Sequence, residues 1–127
     1  MTAYGFLAVG IGAALGAWLR WIFGIAFNPK VPTLPLGTLA ANLLGGYLIG
    51  IAVEYLSRNA GLPPEVRLFV ITGFLGGLTT FSTFSAEATA LLQSGQLGWA
   101  MLHTLTHLVG SIALTFLGIY TVRVLSA

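Results

Sequence analysis

The residues best suited to chemistry lie in one run, GFLGGLTTFSTFSAE, from Gly73 to Glu87. Phe81 and Phe84 are three residues apart and so share one face of a helix. Two phenylalanines at that spacing usually serve as core or lipid-facing residues. Here they are interleaved with Thr79, Thr80, Ser82, Thr83 and Ser85, whose hydroxyls are out of place against lipid. A phenyl ring carries positive charge density at its edge, so ring edges with hydroxyl and amide donors can surround an anion without any formal positive charge. Such a site binds weakly enough to let go, which conduction requires.

Further polar groups stand in otherwise apolar surroundings, where each needs a reason because lipid offers no partner. Asn42 is the one strongly polar residue of its run. Its amide can donate two hydrogen bonds, either to a neighbouring helix or to a ligand in a pore. Arg20 lies in the last third of the first apolar run, where its stem can carry the charge to the headgroups or place it in a vestibule that attracts anions. His103, His107 and Ser111 follow one another at four-residue spacing and form one stripe. Two histidines so spaced can bind zinc, but the sequence offers no cysteine and no evident acidic partner, which favours polar lining or interhelical hydrogen bonding. Histidine titrates near neutrality, so a proton-linked role stays open.

The elements that must hold these residues follow from composition. The chain has 127 residues, 57% of them apolar and only 6% charged, against about a quarter charged in soluble domains. About 20 apolar residues are needed per crossing, so one domain over residues 1–127 accommodates four spans: Tyr4–Phe27, Leu36–Leu56, Arg67–Leu92 and Trp99–Val122. The apolar runs are continuous rather than alternating, which selects helices over a barrel. The third run is longer than a bilayer core requires, and its excess coincides with Gly73, Gly76, Gly77, Thr79 and Thr80. Poor helix formers clustered there predict a helix broken at its centre.

Charge and residue counts exclude much else. Zero cysteines rule out disulfides and thiolate metal sites, and five basic groups against three acids are too few to hold nucleic acid. No room remains for a soluble catalytic domain, no ATP motif is visible, and an enzyme is not expected. Met1 to Gly10 reads as the start of a retained span, since no small-residue cleavage site follows a basic start. Small residues four apart at Gly12 and Gly16, Gly46 and Gly50, and Gly73 and Gly77 allow close backbone approach. Four spans put Arg58, Arg67 and Arg123 on one side, against Arg20 and Lys30 on the other. So slight a bias does not fix orientation by the positive-inside rule and permits an antiparallel dimer.

Three segments together resemble the Fluc (CrcB) fluoride channels: the run from Gly73 to Glu87, NLLGGYLIG beginning at Asn42, and GAWLRW ending at Trp21. The likeness covers essentially the whole chain in span number, length and loop positions. It implies an all-α membrane protein, a dual-topology antiparallel homodimer with two fluoride pores and a sodium ion buried between the subunits. It also implies passive export of fluoride across the bacterial inner membrane, relieving cytoplasmic fluoride toxicity. Under the resemblance, Phe81, Phe84 and Asn42 match the fluoride path, and Thr38, Glu87 and Ser111 match its polar track. Ser82, Thr83, His103 and His107 are further lining, Arg20 matches a vestibule arginine, and Gly76 and Thr79 match positions whose backbone carbonyls hold sodium. His103 and His107 depart from the family pattern, which leads one to expect hydroxyl-bearing or other polar residues there. The competing reading is a small multidrug-resistance-type dual-topology transporter, but that class uses an acid in its first span, where this chain has Arg20. A noncatalytic assembly subunit would explain the glycines and leave the hydroxyl cluster unexplained.

Overall fold

Inside lipid only a helix satisfies all of its own N–H and C=O groups within one segment, and the computed structural model, which describes Met1–Ala127, is all-helical. Four segments are long and apolar enough to cross a membrane: Ala3–Lys30, Leu36–Arg58, Pro64–Gln93 and Leu97–Leu125. They begin and end within a few residues of the apolar runs. No boundary moves by more than three residues, and the third segment starts at Pro64 rather than Arg67. Proline lacks an N–H that the first helical turn leaves unpaired anyway, so it suits that position.

Helix α1 (Ala3–Phe27) is capped by Thr2, whose hydroxyl accepts from the Gly5 N–H at 3.0 Å. A single 3-10 turn, Asn28–Lys30, and a proline-rich bend lead to α2 (Leu36–Arg58). The third segment changes winding along its length: α3 (Pro64–Arg67), a π-helical stretch (Leu68–Leu75), α4 (Gly76–Leu78), two extended residues, then α5 (Phe81–Gln93). The extended residues are Thr79 (φ −85°, ψ 155°) and Thr80 (φ −147°, ψ 115°). The π stretch has no counterpart in the sequence reading, because apolar pattern does not register a widened turn. Between α5 and α6 (Leu97–Leu125), Gly95 adopts φ 76°, the chain's one positive value. Its N–H reaches Leu92 O while Gln96 N–H reaches Leu91 O, a glycine-dependent helix stop that turns the chain back.

Two seams of glycine set the packing. Along α1, Gly12 and Gly16 press on the third segment, where Gly73 and Gly77 press back. A Cβ at Gly12 would sit 2.5 Å from Phe69 O, and one at Gly73 would sit 2.8 Å from Val9 O. Gly46 of α2 meets Ser111 of α6 in the same way, and Gly50 meets Thr115. Leu78, with no exposed surface, anchors a small core with Ala41, Ala52 and Leu75. At the far end of α2, Glu54 accepts from Arg58 at 3.1 Å and from Arg123 at 2.9 Å, which ties the C-terminal ends of α2 and α6 together. The outer faces of α1 and α6 remain apolar and open, with Phe6, Trp18, Trp21, Leu105 and Phe116 exposed.

Candidate functional site

Where the third segment straightens, helical hydrogen bonding stops, and side chains take over. Thr80 N–H, which in a continuous helix would reach Gly76 O, instead donates to Asn42 Oδ1 at 2.8 Å. Asn42 Nδ2 donates in return to Thr80 O at 3.1 Å. Thr83 N–H, the ordinary helical partner of Thr79 O, goes instead to the Thr80 hydroxyl at 3.0 Å. Thr80 is thus the N-cap of α5, the role in which threonine stabilises a helix start. Arg20 Nε donates to Gly77 O at 3.0 Å, so its guanidinium is fixed on the interrupted segment. The carbonyls of Gly76 and Thr79 are left without their helical donors, and both residues face the main groove.

Asn42 also lies 3.1 Å from His107 Nδ1 through its Nδ2. Because Thr80 N–H fixes Oδ1 as the acceptor end of the amide, Nδ2 is the donor here, and His107 Nδ1 accepts. The neutral ring then carries its proton on Nε2, which has no partner. Of the two readings of Asn42, the interhelical bond is therefore the one the geometry realises, while the residue still lines the groove.

A second string of contacts runs from the first loop. Asn28 Oδ1 accepts from Thr38 N–H at 3.0 Å, and Thr38 Oγ1 donates to Glu87 Oε2 at 2.7 Å. The other carboxylate oxygen lies 2.9 Å from His103 Nε2. No acidic partner for the two histidines is evident along the chain, and here the fold corrects that expectation. Glu87 is sixteen positions from His103 along the chain, and the turn at Gly95 folds α5 back onto α6 to bring them together. Glu87, His103 and His107 each present a ligand atom within 4.8 Å of the others.

Phe84 closes this cluster. Its ring stacks on His103, with centroids 5.1 Å apart and planes at 14°, and lies 5.0 Å from His107. Phe81 touches Phe84 at 5.5 Å but is 80% exposed. The shared face expected from their spacing thus divides in function: one ring is packed and the other points outward. An open groove of about 500 Å³ runs alongside, bordered by Asn42, Thr79, Phe81, Phe84, His107 and Ser111. A smaller cavity of about 330 Å³ on the other side is bordered by Pro32, Pro35, Glu87 and Ser94. Ser82 Oγ lies 3.3 Å from Thr80 Oγ1, and Thr83 contributes its backbone N–H to the cap.

The site thus gathers Thr38, Asn42, Phe84, Glu87, His103 and His107, while Arg20, Gly76 and Thr79 belong to the interrupted segment beside it. Two residues carry roles that their sequence context did not assign them. Thr80 is the hub of the interruption, and its spacing to Thr83 is the signal of an N-cap. Asn28 orients Thr38, and nothing in its NPK turn announces that role.

Proteins similar to this chain over nearly its whole length carry a common name. A relative from Nitrosospira multiformis, called "Fluoride-specific ion channel FluC", is 64% identical over 123 residues, covering 97% of this chain and 96% of that protein. Relatives of the same name from Cupriavidus taiwanensis and Ralstonia nicotianae are 62% identical over 126 residues and 61% over 125. These alignments cover 99% and 98% of this chain, and 100% and 99% of those proteins. The family described as "CrcB-like protein, Camphor Resistance (CrcB)" matches residues 7–119. That stretch contains both sides of the Thr79–Thr80 interruption and every residue of the cluster around Asn42 and Glu87, and by this match the chain belongs to the CrcB family.

Proposed function

We propose that the protein is a fluoride-selective channel that lets fluoride pass down its electrochemical gradient. The relatives' shared name supports this, and the observation that carries it is the groove beside Asn42, Phe84 and His107. Fluoride is small and tightly hydrated, so a path for it must replace water with donors. The groove is lined by Asn42, His107, the Ser111 hydroxyl and the rings of Phe81 and Phe84, a set of amide, imidazole and hydroxyl groups and ring edges without a formal charge. All of these are neutral, so the anion is held without being trapped. A negative interior drives it outward with about 2.3 kcal/mol per 100 mV, and no energy-coupling motif is needed.

The working assembly is an antiparallel dual-topology homodimer with two pores in the bacterial inner membrane. Its support is the exposed Phe81, the open groove and the near-even split of basic residues. The third helix acts as a broken helix whose interruption faces the partner. The free Gly76 and Thr79 carbonyls fit a sodium ion, which oxygen donors suit. Sodium bound there supplies a fixed positive charge at the centre of the dimer, while Arg20 and Asn42 hold the segment that presents those carbonyls.

Purified protein in liposomes with potassium permeability supplied should discharge a fluoride gradient rapidly. Equal discharge of chloride, or none of either, would refute the channel reading. If the same liposomes, prepared free of sodium, keep full flux, the sodium reading fails and the channel stands. Two lysines added to the Ser94–Gln96 turn should lock one orientation and abolish the active dimer, and an unchanged topology reporter would count against dual insertion.

A further inference from the structure

We propose that Glu87, His103 and His107 form a binding site for a first-row divalent cation of the zinc class, set in the wall between the groove and the smaller cavity. The three ligand atoms lie within 4.8 Å of one another. Bonds of about 2.1 Å to a tetrahedral ion put donor atoms about 3.4 Å apart, so side-chain rotations close the set with the backbone in place. His103 and His107 stand one turn apart on α6 with ring centroids 4.6 Å apart. Imidazole nitrogen and carboxylate oxygen are the donors zinc takes, and the carboxylate offsets half of the ion's charge in a medium where an unpaired charge is expensive.

The second observation is what these rings lack. His103 has no exposed surface and His107 is 5% exposed, yet His103 Nδ1 and His107 Nε2 have no hydrogen-bond partner. A buried polar atom left unpaired destabilises the fold, and an ion bound through one of these nitrogens gives it a partner. Access exists from both sides, because Glu87 borders the smaller cavity and His107 the groove. Thr38 keeps its hydrogen bond to the second carboxylate oxygen and orients the ligand from behind. Ligation needs a lone pair on His107, so it competes with the hydrogen bond from Asn42, whose N–H it sets free. The fourth position is left to water or an anion.

The test does not depend on fluoride conduction. Co²⁺ titrated into the purified full-length protein in detergent should give the intense visible absorption of a four-coordinate ion, with one Co²⁺ per chain, and Zn²⁺ should displace it. His107→Gln, His103→Gln and Glu87→Gln, each checked by size exclusion for intact assembly, should weaken binding by about 100-fold or more. A weak six-coordinate spectrum, or zinc binding undiminished in the three variants, would overturn the site. Zinc-soaked crystals of the unaltered protein provide a measurement free of folding effects. Anomalous density between the three side chains supports the proposal, and its absence at saturating zinc refutes it.

Discussion

Where α1 meets the third segment, Gly12, Gly16, Gly73 and Gly77 bring backbone against backbone; where α2, α5 and α6 meet, Thr38, Asn42, Glu87, His103 and His107 fill the space with polar side chains. Lipid tails are as apolar as leucine, so neither contact is driven by the hydrophobic effect that assembles soluble proteins. The glycine seam gains from close packing and has no slack. The polar seam gains from satisfied hydrogen bonds and keeps two ring nitrogens unsatisfied. The first is where the fold is held rigid, and the second is where a ligand has something to bind.

That contrast makes the glycine seam the more fragile to bulk. A Cβ at Gly16 would overlap Phe74 O and lie 2.7 Å from Leu78 N, both backbone atoms that cannot move aside. Gly16→Val should therefore destabilise the protein by about 4 kcal/mol or more, seen as loss of the monodisperse peak on size exclusion. A normal peak would mean that the seam has more freedom than its geometry implies.

In the polar seam the largest effect belongs to Asn42. Asn42→Leu is close in size but leaves Thr80 N–H and C=O unpaired at the interruption. The expected loss is about 2–4 kcal/mol in unfolding free energy, with fluoride flux down at least about tenfold. Reduced stability with normal flux would assign Asn42 to structure alone.

The two phenylalanines sharpen the comparison at the smallest scale. Phe84→Ile removes the stack on His103 and should cost about 1 kcal/mol, whereas Phe81→Ile, at a ring 80% exposed, should leave the stability of the subunit within about 0.5 kcal/mol. Both should slow fluoride in the liposome assay. Flux unchanged in both would reduce the rings to packing.

Much of this was legible in the chain. Four continuous apolar runs and a scarcity of charge specify four crossing helices, because an unsatisfied backbone in lipid leaves no alternative. The glycine pairs marked the close contacts, and the hydroxyl-rich stretch after Gly73 marked the irregular segment. Local chemistry is enough for each of these: apolar length, Cβ volume and the capping habit of threonine all act within a few residues.

What local chemistry cannot specify is which distant polar groups meet. The sequence put Asn42 in the middle of a helix without naming Thr80 and His107 as its partners, and it left Arg20 between lipid headgroups and a vestibule when the guanidinium rests on Gly77 O. It also set zinc aside for want of an acidic neighbour, which Glu87 becomes only after α5 reverses onto α6. Sequence alone therefore determined the number of helices, their lengths and the place of the irregular stretch. Tertiary structure decided which buried polar groups meet across the helices, since in a low-dielectric interior those pairings depend on distances of a few ångströms between segments that are far apart in the chain.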